Sequence, residues 1–242
     1  MNQKDSKKNY QFFNKKLFEM KWKNPGSQFG SLSCDPSLAQ YILGKREKSS
    51  IFDFDYTLIC IERCLKLVSK IIASGGKILL VSTDPSSSLI IKKVGQLSYQ
   101  PFIHSKWVNG LLTNWKQIIP YKQNNQFNSS QKQDMVSLLT KLPDALIIVN
   151  PHENADAIRE ARKLNIPIIS FLSIKKKSDL KSEIRLHQID YPIPSSGSSI
   201  QLIYHFFDLF VRIVQKNSRL TTHDVYQYKY VSSKKSKYSY MY

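Results

Sequence analysis

Cysteine, glycine and acidic residues are all scarce in this chain of 242 residues. It contains three Cys, eight Gly and 18 Asp+Glu. The odd number of Cys (Cys34, Cys60 and Cys64) argues against the disulfide framework of a small secreted protein. Cys60 and Cys64 stand four residues apart in an apolar stretch that is predicted to be helical, with no Cys/His set beside them. We therefore expect buried thiols rather than metal ligands.

The sequence also lacks the usual signatures of cofactor, metal and membrane binding. Gly75-Gly76 has no third Gly and follows a predicted helix rather than a strand, unlike the glycine-rich loops that hold nucleotides. No apolar run is long enough to cross a bilayer. The His residues show no spacing typical of a metal site or a catalytic dyad; they are His104, His152, His187, His205 and His223. We therefore expect no cofactor, no metal and no membrane span.

Positive charge is what the chain has in excess, with 36 Lys+Arg and a formal net charge of +18. A protein that lies on a polyphosphate needs such an excess, because each cation that neutralises a phosphate releases a condensed counterion. Lys (29) far outnumbers Arg (7), and Asn, Ile and Tyr are plentiful, which is typical of an AT-rich genome. The N-terminus has no Arg-rich import pattern. We hypothesise that the protein is made inside the organelle that uses it.

Strand-like and helix-like segments alternate from Ser50 onward. The pattern predicts strands over 50–54, 77–82, 100–103, 145–149, 167–172 and 190–193, and helices over 57–73, 86–97, 154–164 and 198–215. Repeated βα units of this kind predict an α/β fold. We expect a doubly wound parallel sheet of about five strands, with helices on both faces.

Composition divides the chain into an arm, one domain and a tail. Residues 1–25 form a basic aromatic arm, 26–219 the α/β domain, and 220–242 a basic tail rich in Tyr. The tail has too few aliphatic residues for a core of its own, so we expect it to order only against a partner. Within the domain, 116–141 is predicted to be largely a loop and 173–188 a basic surface insertion.

One short motif suggests an enzyme instead. Residues 51–57 resemble the Asp-x-Asp-x-Thr motif of haloacid-dehalogenase-type phosphatases, where the first Asp is the nucleophile and the second the general acid. Those enzymes hold Mg²⁺ with a later acidic pair. The matching place here, 150–153, reads Asn-Pro-His-Glu and lacks that pair. A phosphatase-like hydrolase using Asp53 and Asp55 therefore remains only an alternative.

The most informative segment is 104–115, His-Ser-Lys-Trp-Val-Asn-Gly-Leu-Leu-Thr-Asn-Trp. It resembles the Asn-His-Arg-Trp-Leu-Gly-Gly-Met-Leu-Thr-Asn-Trp signature of the small-subunit ribosomal protein S2 family. Residues 142–167 are similar to the family's Pro-Asp-Ala strand and the helix that ends Arg-Glu-Ala, and shorter matches lie at 29–30, 51–57 and 190–194. The matches run in family order from about Gly26 to Gln215. The match at 51–57 also removes the main reason for a phosphatase.

The departures from the family pattern favour an organelle ribosome. Lys106 and Asn109 stand where the family has Arg and Gly, which weakens any bidentate RNA contact there. Bacterial members carry a coiled-coil hairpin in the place of 116–141, and we expect it to be shortened or lost here. The family's acidic Asp-Thr-Asn segment is replaced by the basic insertion 173–188.

The resemblance implies two places of contact with small-subunit rRNA. One is a loop before the first strand, with Lys45, Arg46 and Lys48. The other is the signature, with His104, Lys106, Trp107, Asn109, Thr113, Asn114 and Lys116. The cations would contact phosphates and fix orientation without reading sequence.

Several aromatic and basic side chains leave two interpretations open. Trp107 could stack on a base or pack onto the sheet, and the sequence favours neither. Trp115 is expected to pack, because Thr113-Asn114 forms a credible cap for a helix that it opens. A solvated face and RNA contact are equally open for Arg159, Arg162 and Lys163.

We conclude from the sequence that the chain is a structural constituent of the small ribosomal subunit, with no catalytic activity. The expected organelle is the mitochondrion, with the plastid as the less favoured one. The resemblance implies rRNA and neighbouring ribosomal proteins as partners, near the mRNA exit. Besides the phosphatase, the alternative is a nucleic-acid-binding protein outside the ribosome, which would not sediment with the small subunit.

Overall fold

The computed structural model describes residues 29–31, 36–46, 49–117, 141–172, 186–195 and 199–217. The arm 1–25, most of 116–141, most of the insertion 173–188 and the tail 220–242 lie outside the described residues. The expectations for those four segments therefore stay predictions.

The described chain begins with a small antiparallel sheet. Its strands are β1 (Phe29–Ser31), β2 (Ile42–Arg46) and β3 (Ser49–Phe52), in the order β1-β3-β2, and a short 3-10 helix, Pro36–Tyr41, precedes β2. The predicted strand at 50–54 thus belongs to this sheet and not to the parallel one. The prediction of a loop at Lys45 and Arg46 was wrong: both belong to β2 and pair with β3, because backbone hydrogen bonding forms a strand here that the side-chain pattern does not show.

The parallel sheet has five strands, and this confirms the predicted doubly wound α/β fold. They are β4 (Ile78–Val81), β5 (Phe102–Ile103), β6 (Ala145–Ile148), β7 (Ile168–Leu172) and β8 (Tyr191–Pro194). The order is β5-β4-β6-β7-β8, with every neighbouring pair parallel. β4, β6 and β7 are buried at every position, as strands covered on both faces must be.

Four helices cover the two faces of this sheet: α1 (Phe54–Ala73), α2 (Pro85–Ser98), α3 (Ala155–Lys163) and α4 (Ile200–Asn217). α1, α2 and α4 bury their apolar sides in one core cluster. The second cluster lies on the opposite face and joins α3 to the segment after β5 and to the small sheet. None of the described helices is long and apolar enough to cross a bilayer.

The glycine pair after α1 explains how the chain turns into β4. Gly75 has a φ of +76°, the left-handed conformation that Gly adopts without steric cost at the end of a helix. Gly76 is buried, and a Cβ there would lie 2.9 Å from the Ile71 carbonyl oxygen. The turn therefore needs Gly at both positions.

Candidate nucleic-acid interface

The signature segment forms a compact loop with one buried and one exposed side. It follows β5, turns at Gly110 with a φ of +84°, and is closed by a hydrogen bond of 2.7 Å from the Asn114 N–H to the Gly110 carbonyl. Trp107, Leu111 and Leu112 point inward into the second core cluster. The side chains of Lys106, Asn109, Thr113, Asn114 and Lys116 are exposed. We call these five residues the loop rim.

The carboxylate of Glu160, on α3, holds this loop in place. Its Oε1 accepts hydrogen bonds from Trp107 Nε1 (3.1 Å) and from the Gly110 N–H (2.7 Å). Its Oε2 accepts from the Leu112 N–H (2.9 Å) and the Thr113 N–H (3.4 Å). Hydrogen bonds to an ionised acceptor are about twice as strong as neutral ones, so this single side chain fixes the loop at four points.

The sequence interpretation did not assign a role to Glu160, although it gave a signal. Glu160 comes three residues after the buried Ala157 and four before Leu164, which places it beside the apolar side of α3. It is 8% exposed. A carboxylate buried in this way must find donors, and the loop N–H groups are those donors.

The structure favours packing for both signature tryptophans. Trp107 is 7% exposed, and its indole N–H is already bonded to Glu160. Trp115 begins a helical turn and packs against the second core cluster, as expected. The RNA contact of Trp107 stays a prediction, and this side chain does not belong to the loop rim.

The loop rim lies in a stretch of chain without any acidic residue. No Asp or Glu occurs between Asp84 and Asp134. Lys106 and Lys116 are exposed on the rim, beside the polar side chains of Asn109, Thr113 and Asn114. His104 is partly buried and makes an edge contact with Phe102, with ring centroids 5.8 Å apart. The rim therefore offers cations and hydrogen-bonding groups together, the combination that binds a phosphate backbone.

The other predicted contact lies on the same side of the parallel sheet. Lys45 and Arg46 are exposed on β2. Phe52 of β3 and Tyr41, the last residue of the 3-10 helix before β2, belong to the core cluster that contains Trp107. The structure thus brings β2 and the loop rim to one side of the domain, while Lys48 lies outside the described residues.

The basic residues of α3 are mostly engaged within the protein. Arg159 bonds Asp156 on its own helix. Arg162 bonds Asp190 at 3.1 Å, and the same Asp190 carboxylate accepts from the Ile168 N–H at 2.9 Å. Lys163 is exposed. These contacts favour a structural use of the two arginines over RNA contact.

The phosphatase-like motif is a helix cap. Asp53 precedes α1, and its side chain accepts a hydrogen bond from the Tyr56 N–H at 3.2 Å. It follows a strand of the small antiparallel sheet, whereas the hydroxyl of Thr83, which follows β4 of the parallel sheet, donates to Glu153 at 3.3 Å. The residue that caps α1 is therefore Asp53, and not Asp55 or Thr57. Within the described residues no cluster of three or more His, Cys, Asp or Glu could hold a metal ion.

Comparison with known proteins agrees with this architecture. The family model described as "Ribosomal protein S2" matches residues 26–141 and 120–217. The chain is 32% identical over 202 residues to small ribosomal subunit protein uS2m of Marchantia polymorpha, a match that covers 74% of this chain and 83% of the relative. It is 27% identical over 203 residues to uS2 of Brucella melitensis and 28% identical over 203 residues to uS2 of Sinorhizobium medicae, with 74% of this chain and 76% of the relative covered in both cases.

This family consists of structural, non-enzymatic components of the small ribosomal subunit, which agrees with the helix-capping role of Asp53. The family match spans both the small sheet and the parallel sheet, and it includes the loop that Glu160 holds. The chain therefore belongs to the ribosomal protein S2 family.

Proposed function

We propose that the chain is an rRNA-binding constituent of the mitochondrial small ribosomal subunit, with the loop rim and the outer residues of β2 as its contact with rRNA. The observation that carries this proposal is the loop held by Glu160. Trp107, Leu111 and Leu112 pack inside the protein and four N–H groups of the segment bond Glu160, so the rim side chains are what the loop exposes to a partner. Contact through Lys106 and Lys116 would hold the protein on RNA without reading a base sequence.

A preformed loop suits a structural role. A disordered basic segment would lose conformational entropy on binding, and that loss would weaken the complex. Here the hydrogen bonds to Glu160 fix the loop before RNA binds, so the entropy cost of ordering the loop is met when the domain folds and not when RNA binds. The neighbouring ribosomal proteins and the position near the mRNA exit belong to the same proposal, on the strength of the family resemblance.

The mitochondrial assignment rests on two observations. The uS2m relative is 32% identical, against 27% and 28% for the two bacterial relatives. The excess of Lys over Arg agrees with a gene from an AT-rich organelle genome. Fractionation of cells tests this directly: the chain should sediment with the small subunit prepared from isolated mitochondria, and recovery from the cytosolic fraction alone would contradict the assignment.

The RNA contact is tested by a double variant, Lys106→Ala with Lys116→Ala, measured against small-subunit rRNA over a range of salt concentrations. Each lost phosphate contact should lower the slope of log affinity against log salt by about one, so the double variant should lose about two. The matched control is Lys70→Ala with Lys93→Ala. These two exposed lysines lie on α1 and α2, which cover the opposite face of the parallel sheet. If the control lowers the slope as much as the rim variant, the loop rim is not the RNA surface.

A further inference from the structure

Three helices lie side by side on one face of the parallel sheet, with α4 in contact with both α1 and α2. α2 follows β4 and α4 follows β8, so both begin at the edge where the parallel strands end. α1 leads into the start of β4, so it too begins at that edge. The three helices therefore run in the same direction, with their N-terminal turns at the edge where the strands end.

Near that edge each helix exposes a large apolar side chain in its second turn. They are Ile59 on α1 (45% exposed), Tyr204 on α4 (57%) and Leu89 on α2 (73%). Each is the fifth or sixth residue of its helix, about 8 Å from the helix start. Neighbouring helices pack 8–10 Å apart, so the three side chains form a row about 20 Å long. We call it the apolar row.

Further exposed apolar residues adjoin the apolar row on two of the three helices. Tyr56 on α1 and Ile200 on α4 are also exposed, in the first turns of the same helices. Further along the helices Arg63, Lys93 and Arg212 are exposed, together with one apolar residue, Leu97 near the end of α2. Single exposed apolar residues are ordinary, but a row at one end of a helical layer is typical of a surface that another segment covers.

The chain itself provides a segment that reaches this end. β1 pairs antiparallel with β3, with Phe29 opposite Ile51 and Ser31 opposite Ser49. Residues before Phe29 therefore leave the small sheet in the direction in which β3 runs, towards the first residue of α1, Phe54. The tail leaves instead from Asn217 at the far end of α4, about 20 Å along that helix from Tyr204.

The arm has the apolar spacing that the row requires. Tyr10, Phe13, Leu17 and Met20 stand at positions i, i+3, i+7 and i+10. Residues with this spacing share one side of a helix. A helix from residue 10 to residue 22 would be about 20 Å long, which equals the length of the row.

Charge agrees with the same assignment. Residues 1–24 contain seven Lys and two acidic residues. Asp55 is exposed in the first turn of α1, whereas the partly exposed Glu62 and Asp208 pair with Lys66 and Arg212 on their own helices. Asp55 therefore offers the basic arm an acidic partner at this end of the helical layer.

We propose that residues 10–22 bind across the apolar row of the same chain as an amphipathic helix, with Tyr10, Phe13, Leu17 and Met20 against Ile59, Tyr204 and Leu89. This contact covers the outer face of the helical layer and directs the lysines of the arm outward. It requires neither rRNA nor the loop rim, so its failure would leave the proposed function unaffected.

Cross-linking between paired cysteines tests the contact in the full-length chain. Leu17→Cys is combined with Tyr204→Cys, with Cys34→Ser to remove the remaining cysteine that is not known to be buried; Cys60 and Cys64 are buried. The control combines Leu17→Cys with Gln215→Cys, an exposed position on the same helix and about 16 Å further along it. With a short bismaleimide, the Tyr204 pair should cross-link at least about tenfold faster, because tethering raises the effective concentration only where the thiols meet.

A third variant checks that the apolar row carries the contact. Leu89→Asp changes an exposed side chain, so the domain should stay folded, and it should slow the Leu17–Tyr204 cross-link several-fold. Equal rates for the Tyr204 and Gln215 pairs would overturn the proposal. So would cross-links that join two chains instead of one, or a Leu89→Asp variant that reacts as fast as its parent.

Discussion

Replacing Glu160 by Gln removes one charge from the centre of the loop while keeping the shape of the side chain. The amide has one oxygen and one NH₂ group, whereas the carboxylate presents acceptors to four N–H donors. The NH₂ group would take the position of Oε2, because that oxygen accepts the longest of the four bonds, the one from Thr113. It would then face the N–H groups of Leu112 and Thr113. Those two backbone donors would then lose their acceptor.

The magnitude follows from the burial of these donors. The Leu112 N–H is buried, and a buried donor without a partner costs about 1–3 kcal/mol. The Thr113 bond is long at 3.4 Å and only partly buried, so water replaces it at little cost. The Trp107 and Gly110 bonds remain but lose the charge of their acceptor, at about 1 kcal/mol each. We expect the free energy of unfolding to fall by about 3–5 kcal/mol, which lowers the Tm by roughly 6–20 °C for a domain of this size.

The assay is urea unfolding followed by far-ultraviolet circular dichroism, because Trp107 fluorescence would change for local reasons. Hydrogen exchange of the Gly110, Leu112 and Thr113 amides reports the loop directly, and the Leu112 amide should lose most of its protection. The matched control is Glu62→Gln on α1. This glutamate is partly exposed and pairs with Lys66 at 2.7 Å, so the variant should change stability by about 0.5 kcal/mol or less.

The reasoning would be refuted by a Glu160→Gln variant as stable as the Glu62→Gln control with the three loop amides still protected. That result would mean that apolar packing of Trp107, Leu111 and Leu112 alone determines the loop. An equal loss of protection throughout the domain would instead mean that the loop and the core unfold together.

Three further outcomes are expected. Gly95→Ala should destabilise the chain by about 1–3 kcal/mol in thermal unfolding, because a Cβ there would lie 2.1 Å from the Phe102 ring. This cost exceeds the gain from the higher helix propensity of Ala, and a stabilised variant would show that α2 can move away from β5. Cys60 and Cys64 should resist iodoacetamide at pH 8 until urea unfolds the chain, since burial raises the pKa of both thiols, and rapid labelling of the native chain in mass spectra would contradict their burial. The purified chain with Mg²⁺ should not hydrolyse a generic phosphoester; activity abolished by Asp53→Asn but retained in Asp156→Asn would restore the enzyme interpretation.

Local sequence patterns determined most of the secondary structure. The apolar runs at 77–82, 145–149 and 167–172 predicted buried strands because strands covered on both faces need no alternation, and the structure has β4, β6 and β7 there. Gly75 marked the end of α1 for a similarly local reason, since its positive φ is costly for any side chain. The family resemblance at 104–115 was also legible in the sequence alone.

Pairing between distant segments was decided only by the tertiary structure. The strand at 49–52 joined an antiparallel sheet because β1 and β2 supply its hydrogen bonds, and β2 shows no side-chain alternation that would indicate a strand. Glu160 lies 47 to 53 residues from its four donors, a separation that no local pattern spans. The sequence thus named the residues of the loop, but which of them face inward was decided by a buried carboxylate that must find its hydrogen bonds on a neighbouring element.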